Sequence, residues 1–136
     1  MAILIRGVGV DMACISEIAR FLEPGDGSTA FERRTFSQAE QEAASKRHNR
    51  AEYYATRFAS KEAVFKAIAP LLPEEGFDLR IVETLNREDG SPYIIVNEKL
   101  KPLLEKAQVN TLHISITTEG DFATAFVVAS FEVSNL

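Results

Sequence analysis

Tyr53–Ile68 reads YYATRFASKEAVFKAI, a stretch rich in alanine and free of Gly and Pro, so both propensity and pattern predict a helix. At about 100° per residue, Tyr54, Phe58, Val64, Phe65 and Ile68 share one broad arc, and Ala55, Ala59, Ala63 and Ala67 share the opposite one. Almost no ordinary solvated face is left. A helix that is apolar nearly all round is a buried helix, yet Arg57, Lys61, Glu62 and Lys66 stand in its central turns. Arg57 and Lys61 project together, one turn apart; Glu62 and Lys66 project together beside the alanines, where a neighbouring backbone can come close. Buried charges are costly unless something compensates them. Three cations and one carboxylate suit a polyphosphate with a metal ion, while Glu62 and Lys66 also suit an ordinary i,i+4 surface pair.

The whole chain gives this helix an ordinary setting. It has 136 residues, 46% apolar and 26% charged, which describes one globular domain, 1–136, with a substantial core. No apolar run approaches a bilayer span, and Met1–Gly9 is too short before Asp11 to be a secretory signal. The single cysteine, Cys14, cannot form an internal disulfide, so a cytoplasmic location is expected. The net charge of −5 argues against nucleic acid as a partner. Between Arg33 and Lys66, however, eight Lys or Arg face four Glu, a local +4 that leaves −9 for the remainder. Such asymmetry fits an anionic ligand or acidic partner, or a basic solvated face.

Towards the N-terminus, Ala2–Val10 (AILIRGVGV) is dense in β-branched and aliphatic residues and predicts a strand, with Gly7 and Gly9 permitting close backbone approach. Met12, Ile15, Ile18, Ala19 and Leu22 then keep helical spacing until Pro24 and Gly25. Asp11 therefore falls where strand gives way to helix, the place of an N-cap. Glu23–Ser28 predicts a loop and Thr29–Phe36 a short helix with Phe31 inward and Arg33 and Arg34 outward. Ser37–Glu40 forms a capping box for a helix reaching about Lys46. Beyond the central helix, Pro70–Gly76 predicts a loop, and Phe77–Leu85 and Pro92–Val96 predict a hairpin about an Asn86–Gly90 turn. A helix over Asn97–Gln108 and a closing hairpin of Thr111–Thr117 with Phe122–Glu132 complete an α+β domain, an antiparallel sheet against a long central helix.

Taken together, Gly9-Val10-Asp11 before an amphipathic helix, and Arg57-Phe58-Ala59-Ser60-Lys61-Glu62-Ala63 with Lys66 four residues on, resemble the paired signature of the 4′-phosphopantetheinyl transferases. The small single-domain holo-acyl-carrier-protein synthase class is the nearest likeness, and it extends to Asp89–Tyr93 and the closing hairpin. The resemblance implies transfer of 4′-phosphopantetheine from coenzyme A to a serine of an apo acyl carrier protein, releasing adenosine 3′,5′-bisphosphate. It also implies a Mg²⁺ requirement, homotrimers with active sites shared between subunits, and work in the cytoplasm within fatty acid biosynthesis or a related lipid pathway. By position, it makes Asp11 and Glu62 the metal carboxylates. It makes Arg57, Lys61 and Lys66 the phosphate-binding cations, and Gly90 and Pro92 the turn near the adenosine. The chemistry of these residues, apart from the resemblance, suits Glu62 as base through a metal-bound water and Lys66 as the group that stabilises charge developing in the transition state. A non-catalytic coenzyme A-binding or assembly subunit of the same fold is the alternative reading.

Some residues depart from the family pattern or have structural expectations. Ala69-Pro70-Leu71-Leu72 replaces the usual Gly-rich turn, and Thr118 stands where many relatives carry histidine. The helix after Asp11 carries Glu17, Arg20 and Glu23 in place of several basic residues, which shifts the expected carrier contact to Arg20, Arg33 and Arg34. His48 is expected to be solvated, His113 packed or hydrogen-bonded in the core, and Cys14 a small buried side chain on the first helix. Phe21, Phe31, Phe36, Phe122 and Phe126 are expected in the core.

Overall fold

The computed structural model describes residues 1–23 and 29–134. Along the chain run β1 (Ala2–Cys14), α1 (Ile15–Phe21), α2 (Ala30–Thr35), α3 (Gln38–Ser45) and α4 (Arg50–Ile68), then short 3₁₀ turns at Ala69–Leu71 and Leu79–Ile81. They are followed by β2 (Glu83–Asn86), β3 (Pro92–Ile95), α5 (Lys101–Ala107), β4 (Thr111–Glu119) and β5 (Phe122–Val133). The fold is α+β: β1, β5 and β4 form an antiparallel sheet in that order, with α4 across one face, and β2 and β3 pair separately.

The alanine arc of α4 is what lets the sheet come close. Ala55, Ala59 and Ala63 are fully buried and Ala67 nearly so. A Cβ added at Gly7 would lie 2.0 Å from the Ala67 carbonyl oxygen, and one at Gly9 would lie 2.0 Å from that of Ala63. Only glycine fits at these two crossings. The sheet's inner face continues with small residues, Ala123, Ala125, Val127 and Ala129 of β5, all buried.

Local signals set the smaller helices. Thr29 and Ser37 head α2 and α3 with complete capping boxes to Glu32 and Glu40, and Asn49 caps α4 by accepting from the Glu52 amide. Phe36 is buried, and Phe31 packs partly buried beside it.

Four sequence expectations are corrected. The first strand does not stop at Val10 but runs on through Cys14, because β5 continues to pair with it, Asp11 opposite Ala125 and Cys14 opposite Phe122. Asp11 is thus a mid-strand residue, not an N-cap. The cap of α1 comes instead from the β4–β5 turn: Asp121 accepts from the Ser16 amide at 3.1 Å and from Ser16 Oγ at 2.5 Å. Cys14 ends β1 rather than lying on a helix and donates to Asp121 at 3.2 Å. Second, Phe77–Leu85 is not one strand. Asp78 caps a 3₁₀ turn through the Arg80 amide, and pairing begins only at Glu83. Third, α5 begins at Lys101, since the Asn97 side chain takes the Lys99 and Leu100 amides in a turn before it. Fourth, Phe21, Phe122 and Phe126 are exposed, and His113 lies on the outer sheet face, hydrogen-bonded to Ser130 and Glu132 rather than in the core. The loop predicted at Glu23–Ser28, with its stop at Pro24 and Gly25, falls on residues 24–28 and lies outside the described residues, Glu23 excepted. Among the described residues no helix is long and apolar enough to cross a membrane.

Candidate active site

The site grows from the crossing of β1 over α4. With Gly9 seated against the Ala63 carbonyl, the alternation of the strand brings Asp11, two residues on, to the same helix-facing side. There Lys66 donates to Asp11 Oδ1 at 2.9 Å and to the Val10 carbonyl at 3.1 Å. Glu62, one turn before Lys66, faces the same place. Burial and then the Asp11 carboxylate hold the Glu62 carboxyl above the usual carboxylate range, with Lys66 opposing them. Two residues far apart in sequence thus set carboxylates near each other, with the Lys66 ammonium bound to Asp11. Oxygen donors of this kind suit a hard divalent cation such as Mg²⁺, which takes one or two carboxylates and leaves its other positions to water and phosphate oxygens. Among the described residues there is no group of three or more His, Cys, Asp or Glu able to hold a metal, so a cation here would depend on that outside supply.

Arg57 serves a second region. Five residues before Glu62, it leaves α4 about 140° away around the helix axis. Its guanidinium lies 4.4 Å over the Tyr53 ring and donates to Thr56 Oγ1 at 3.1 Å and to Asn86 Oδ1. Its Nε is buried without a partner. Two adjoining cavities share this guanidinium. One, of about 340 Å³, is lined by Arg47, His48, Tyr53 and Asn86 among others. The other, of about 420 Å³, includes Gly90, Pro92, Thr117 and Thr118. Gly90 has φ +90° and closes the β2–β3 turn, its carbonyl accepting from Asn86 Nδ2 at 2.9 Å. A further cavity, about 560 Å³, lies elsewhere, between Ser37, Asp78, Arg80 and Lys99, and touches none of the predicted site residues.

Lys61 is the exception among the predicted site residues. Its side chain is fully buried, and Nζ donates to Glu40 Oε1 at 2.6 Å, to the Leu79 carbonyl at 2.9 Å and to the Val82 carbonyl. An ammonium has three N–H donors, and all three are used inside the protein. The expected role for Lys61 as a phosphate ligand is therefore corrected. Arg57 and Lys61 do leave α4 on one side, but only Arg57 borders a cavity.

The structure thus brings together Asp11, Glu62 and Lys66, and separately Arg57, Gly90 and Pro92. Sequence reasoning missed Tyr53, Thr56 and Asn86. Asn86 carried a signal as the strand residue just before the Asp89-Gly90 turn; Tyr53 and Thr56 carried none, since both read as ordinary helix residues.

Comparison with known proteins gives a consistent result. A sequence model of the 4′-phosphopantetheinyl transferase superfamily matches residues 7–127. A holo-[acyl-carrier-protein] synthase from Fusobacterium nucleatum subsp. nucleatum is 38% identical over 126 residues, covering 92% of this chain and 98% of that protein. The crystal structure of holo-[acyl-carrier-protein] synthase (AcpS) from Neisseria meningitidis superimposes with a TM-score of 0.79 at 27% identity, covering 93% of this chain and 98% of that one. The Chronobacterium ammoniagenes ACPS-CoA complex superimposes with a TM-score of 0.74 at 28% identity, covering 98% and 100%.

Proposed function

The chain belongs to the 4′-phosphopantetheinyl transferase superfamily, and from that membership and the site geometry we infer that it is a holo-acyl-carrier-protein synthase. It transfers 4′-phosphopantetheine from coenzyme A to a serine of an apo acyl carrier protein and releases adenosine 3′,5′-bisphosphate. The observation that carries the reading is the convergence of Asp11, Glu62 and Lys66 in a chain this similar to named synthases.

In the proposed step the serine oxygen bonds to the phosphorus that carries pantetheine, and the bond from that phosphorus to the bridging pyrophosphate oxygen breaks. Glu62 accepts the serine proton as general base. Asp11 and Glu62 would hold Mg²⁺, which supplies charge stabilisation at the pyrophosphate oxygens. Lys66, about half exposed, is free to turn its ammonium towards the same oxygens. Arg57 binds phosphate on the adenosine side, and Gly90 and Pro92 form the wall against the nucleoside.

We extend the proposal to the assembly. Asp11 is on the first strand of the sheet and Ile116 and Thr118 are on the third, two strand spacings or roughly 10 Å away. Arg57 and Glu62 leave α4 in different directions. This supports a homotrimer whose sites combine the carboxylates of one subunit with the adenosine wall of the next. The outer face of the sheet also supports it: Val8, Val10, Met12, Phe122 and Phe126 are all about half exposed, an apolar patch of the kind a partner covers. The chain 1–136 is taken as one transferase domain, and its single cysteine supports a reducing, cytoplasmic location.

The test combines the protein with coenzyme A, Mg²⁺ and an apo carrier, and weighs the carrier by mass spectrometry. One added phosphopantetheinyl group is expected. No gain with several carriers, together with no coenzyme A binding, would instead favour a non-catalytic assembly subunit.

A further inference from the structure

We infer that the buried Lys61–Glu40 pair is a positioning device that sets strand β2, and through Asn86 the Arg57 guanidinium and the Gly90 turn, against the central helix. The inference rests on the coenzyme A reading above and says what holds the adenosine side of that site in place.

β2 and β3 have four residues each and form a sheet of their own, outside the β1-β5-β4 sheet. A two-stranded ribbon this short does not hold itself in position. Lys61 supplies an anchor from α4, taking the carbonyls of Leu79 and Val82 on the segment that leads into β2. Glu40 of α3 accepts from Lys61 and from the Ser37 amide, close to the backbone at Thr84. Glu83, between these points, is held on its other side by Ser37 Oγ at 2.7 Å and Asn97 Nδ2 at 3.3 Å.

Two residues beyond Thr84, Asn86 divides its amide between the two parts of the adenosine side. Its Oδ1 accepts from Arg57, and its Nδ2 donates to the Gly90 carbonyl. The register of β2 thus decides where Arg57 points and where the Gly90–Pro92 wall stands. Burial pushes the Glu40 carboxyl up and the Lys61 ammonium down. Nζ meets three oxygens, two of them carbonyls that can only accept, so Lys61 donates to the segment leading into β2 whichever partner of the pair holds the proton they share. Buried ion pairs are weak sources of net stability but fix direction, which a purely apolar contact at this point would not do.

The experiment first measures binding of adenosine 3′,5′-bisphosphate and of coenzyme A to the unaltered protein. A protein that binds neither overturns the coenzyme A reading itself, and the variants are informative once binding is seen. Lys61→Met combined with Glu40→Leu removes both charges without stranding one. We expect this folded variant to show about a tenfold rise in KM for coenzyme A and in Kd for adenosine 3′,5′-bisphosphate, with kcat and carrier KM within about twofold. A role in stability alone would lower the folded fraction and leave KM unchanged. Asn86→Ala should weaken nucleotide binding similarly, and adding it to the double variant should cost little more, because the two changes act through one linkage. Should the double variant fail to fold, Glu40→Gln keeps the shape and is read by the same split of KM from kcat. Unchanged nucleotide affinity in the folded variant, or full additivity with Asn86→Ala, overturns the inference.

Discussion

Lys66 donates to Asp11 across 55 residues of sequence, and it does so because Gly9 allows β1 to lie directly on the backbone of α4. Glu62 stands beside this bond with its carboxyl held up by burial and by Asp11. The folded pKa of Glu62 therefore exceeds its unfolded value, and ionising it opposes folding. That penalty is absent below the unfolded pKa and complete above the folded one, so stability is lost as pH rises through this window. Glu62→Gln should make the metal-free protein more stable at neutral pH and flatten its stability profile above the ordinary carboxylate range. Thermal melts of both proteins across pH check this; a variant less stable than its parent at pH 7 would contradict it.

Mg²⁺ should reverse that order. At ten times its Kd a ligand specific to the folded state adds about 1.4 kcal/mol, a rise of about 5 °C in Tm for a domain of this size. The rise is expected for the unaltered protein and absent in Asp11→Asn and Glu62→Gln, both of which should also lose about 10³-fold or more in turnover while remaining folded. Carrier modification followed by mass spectrometry reads the activity. Full turnover by Asp11→Asn would remove it from the metal assignment.

Gly9→Ala tests the crossing itself. The new methyl would sit 2.0 Å from the Ala63 carbonyl oxygen and 2.9 Å from the Ala67 nitrogen, so backbone must move. Overpacking of this kind costs about 1–3 kcal/mol, and here the displaced strand carries Asp11. Both Tm and metal-dependent turnover should fall. Gly90→Ala meets no atom within 4 Å, and its loss, about 1–2 kcal/mol, comes from the positive φ alone. Denaturant titration of the two variants compares the mechanisms.

Much of this arrangement was legible in the sequence, and the failures share a cause. Ala55, Ala59, Ala63 and Ala67 announced a helix that another backbone approaches, and Thr29 and Ser37 announced their helices through local capping. Asp11 was misplaced because its strand continues only by pairing with β5, more than a hundred residues away, and local spacing does not report that. Lys61 and Lys66 look alike as helix cations. What separates them is Glu40 and the carbonyls of Leu79 and Val82, none of which periodicity places near α4. The exposed Phe122 and Phe126 read as core residues because an apolar strand face left exposed has the same alternation as one facing a core.

Arg57→Lys should affect the nucleotide side selectively. Lysine loses the guanidinium contact over the Tyr53 ring and the forked donors to Thr56 and Asn86. A rise of about tenfold in KM for coenzyme A, equivalent to about 1.4 kcal/mol, is expected with a smaller change in kcat. Steady-state kinetics at varied coenzyme A and fixed carrier measure it. An unchanged KM would place the adenosine phosphate elsewhere.

The outer face of the sheet carries the last prediction. Val10 of β1 pairs with Phe126 of β5, and the two are exposed at 54% and 46%. A carboxylate placed there by Phe126→Asp would have to be desolvated in any packed interface, a cost that disfavours association. Light scattering should find a trimer for the unaltered protein and a monomer for the variant. If sites are shared between subunits, the variant should also lose turnover even though Asp11, Glu62 and Lys66 stay in place, and raising its concentration should restore part of it. A fully active monomer would show that one chain holds the complete site.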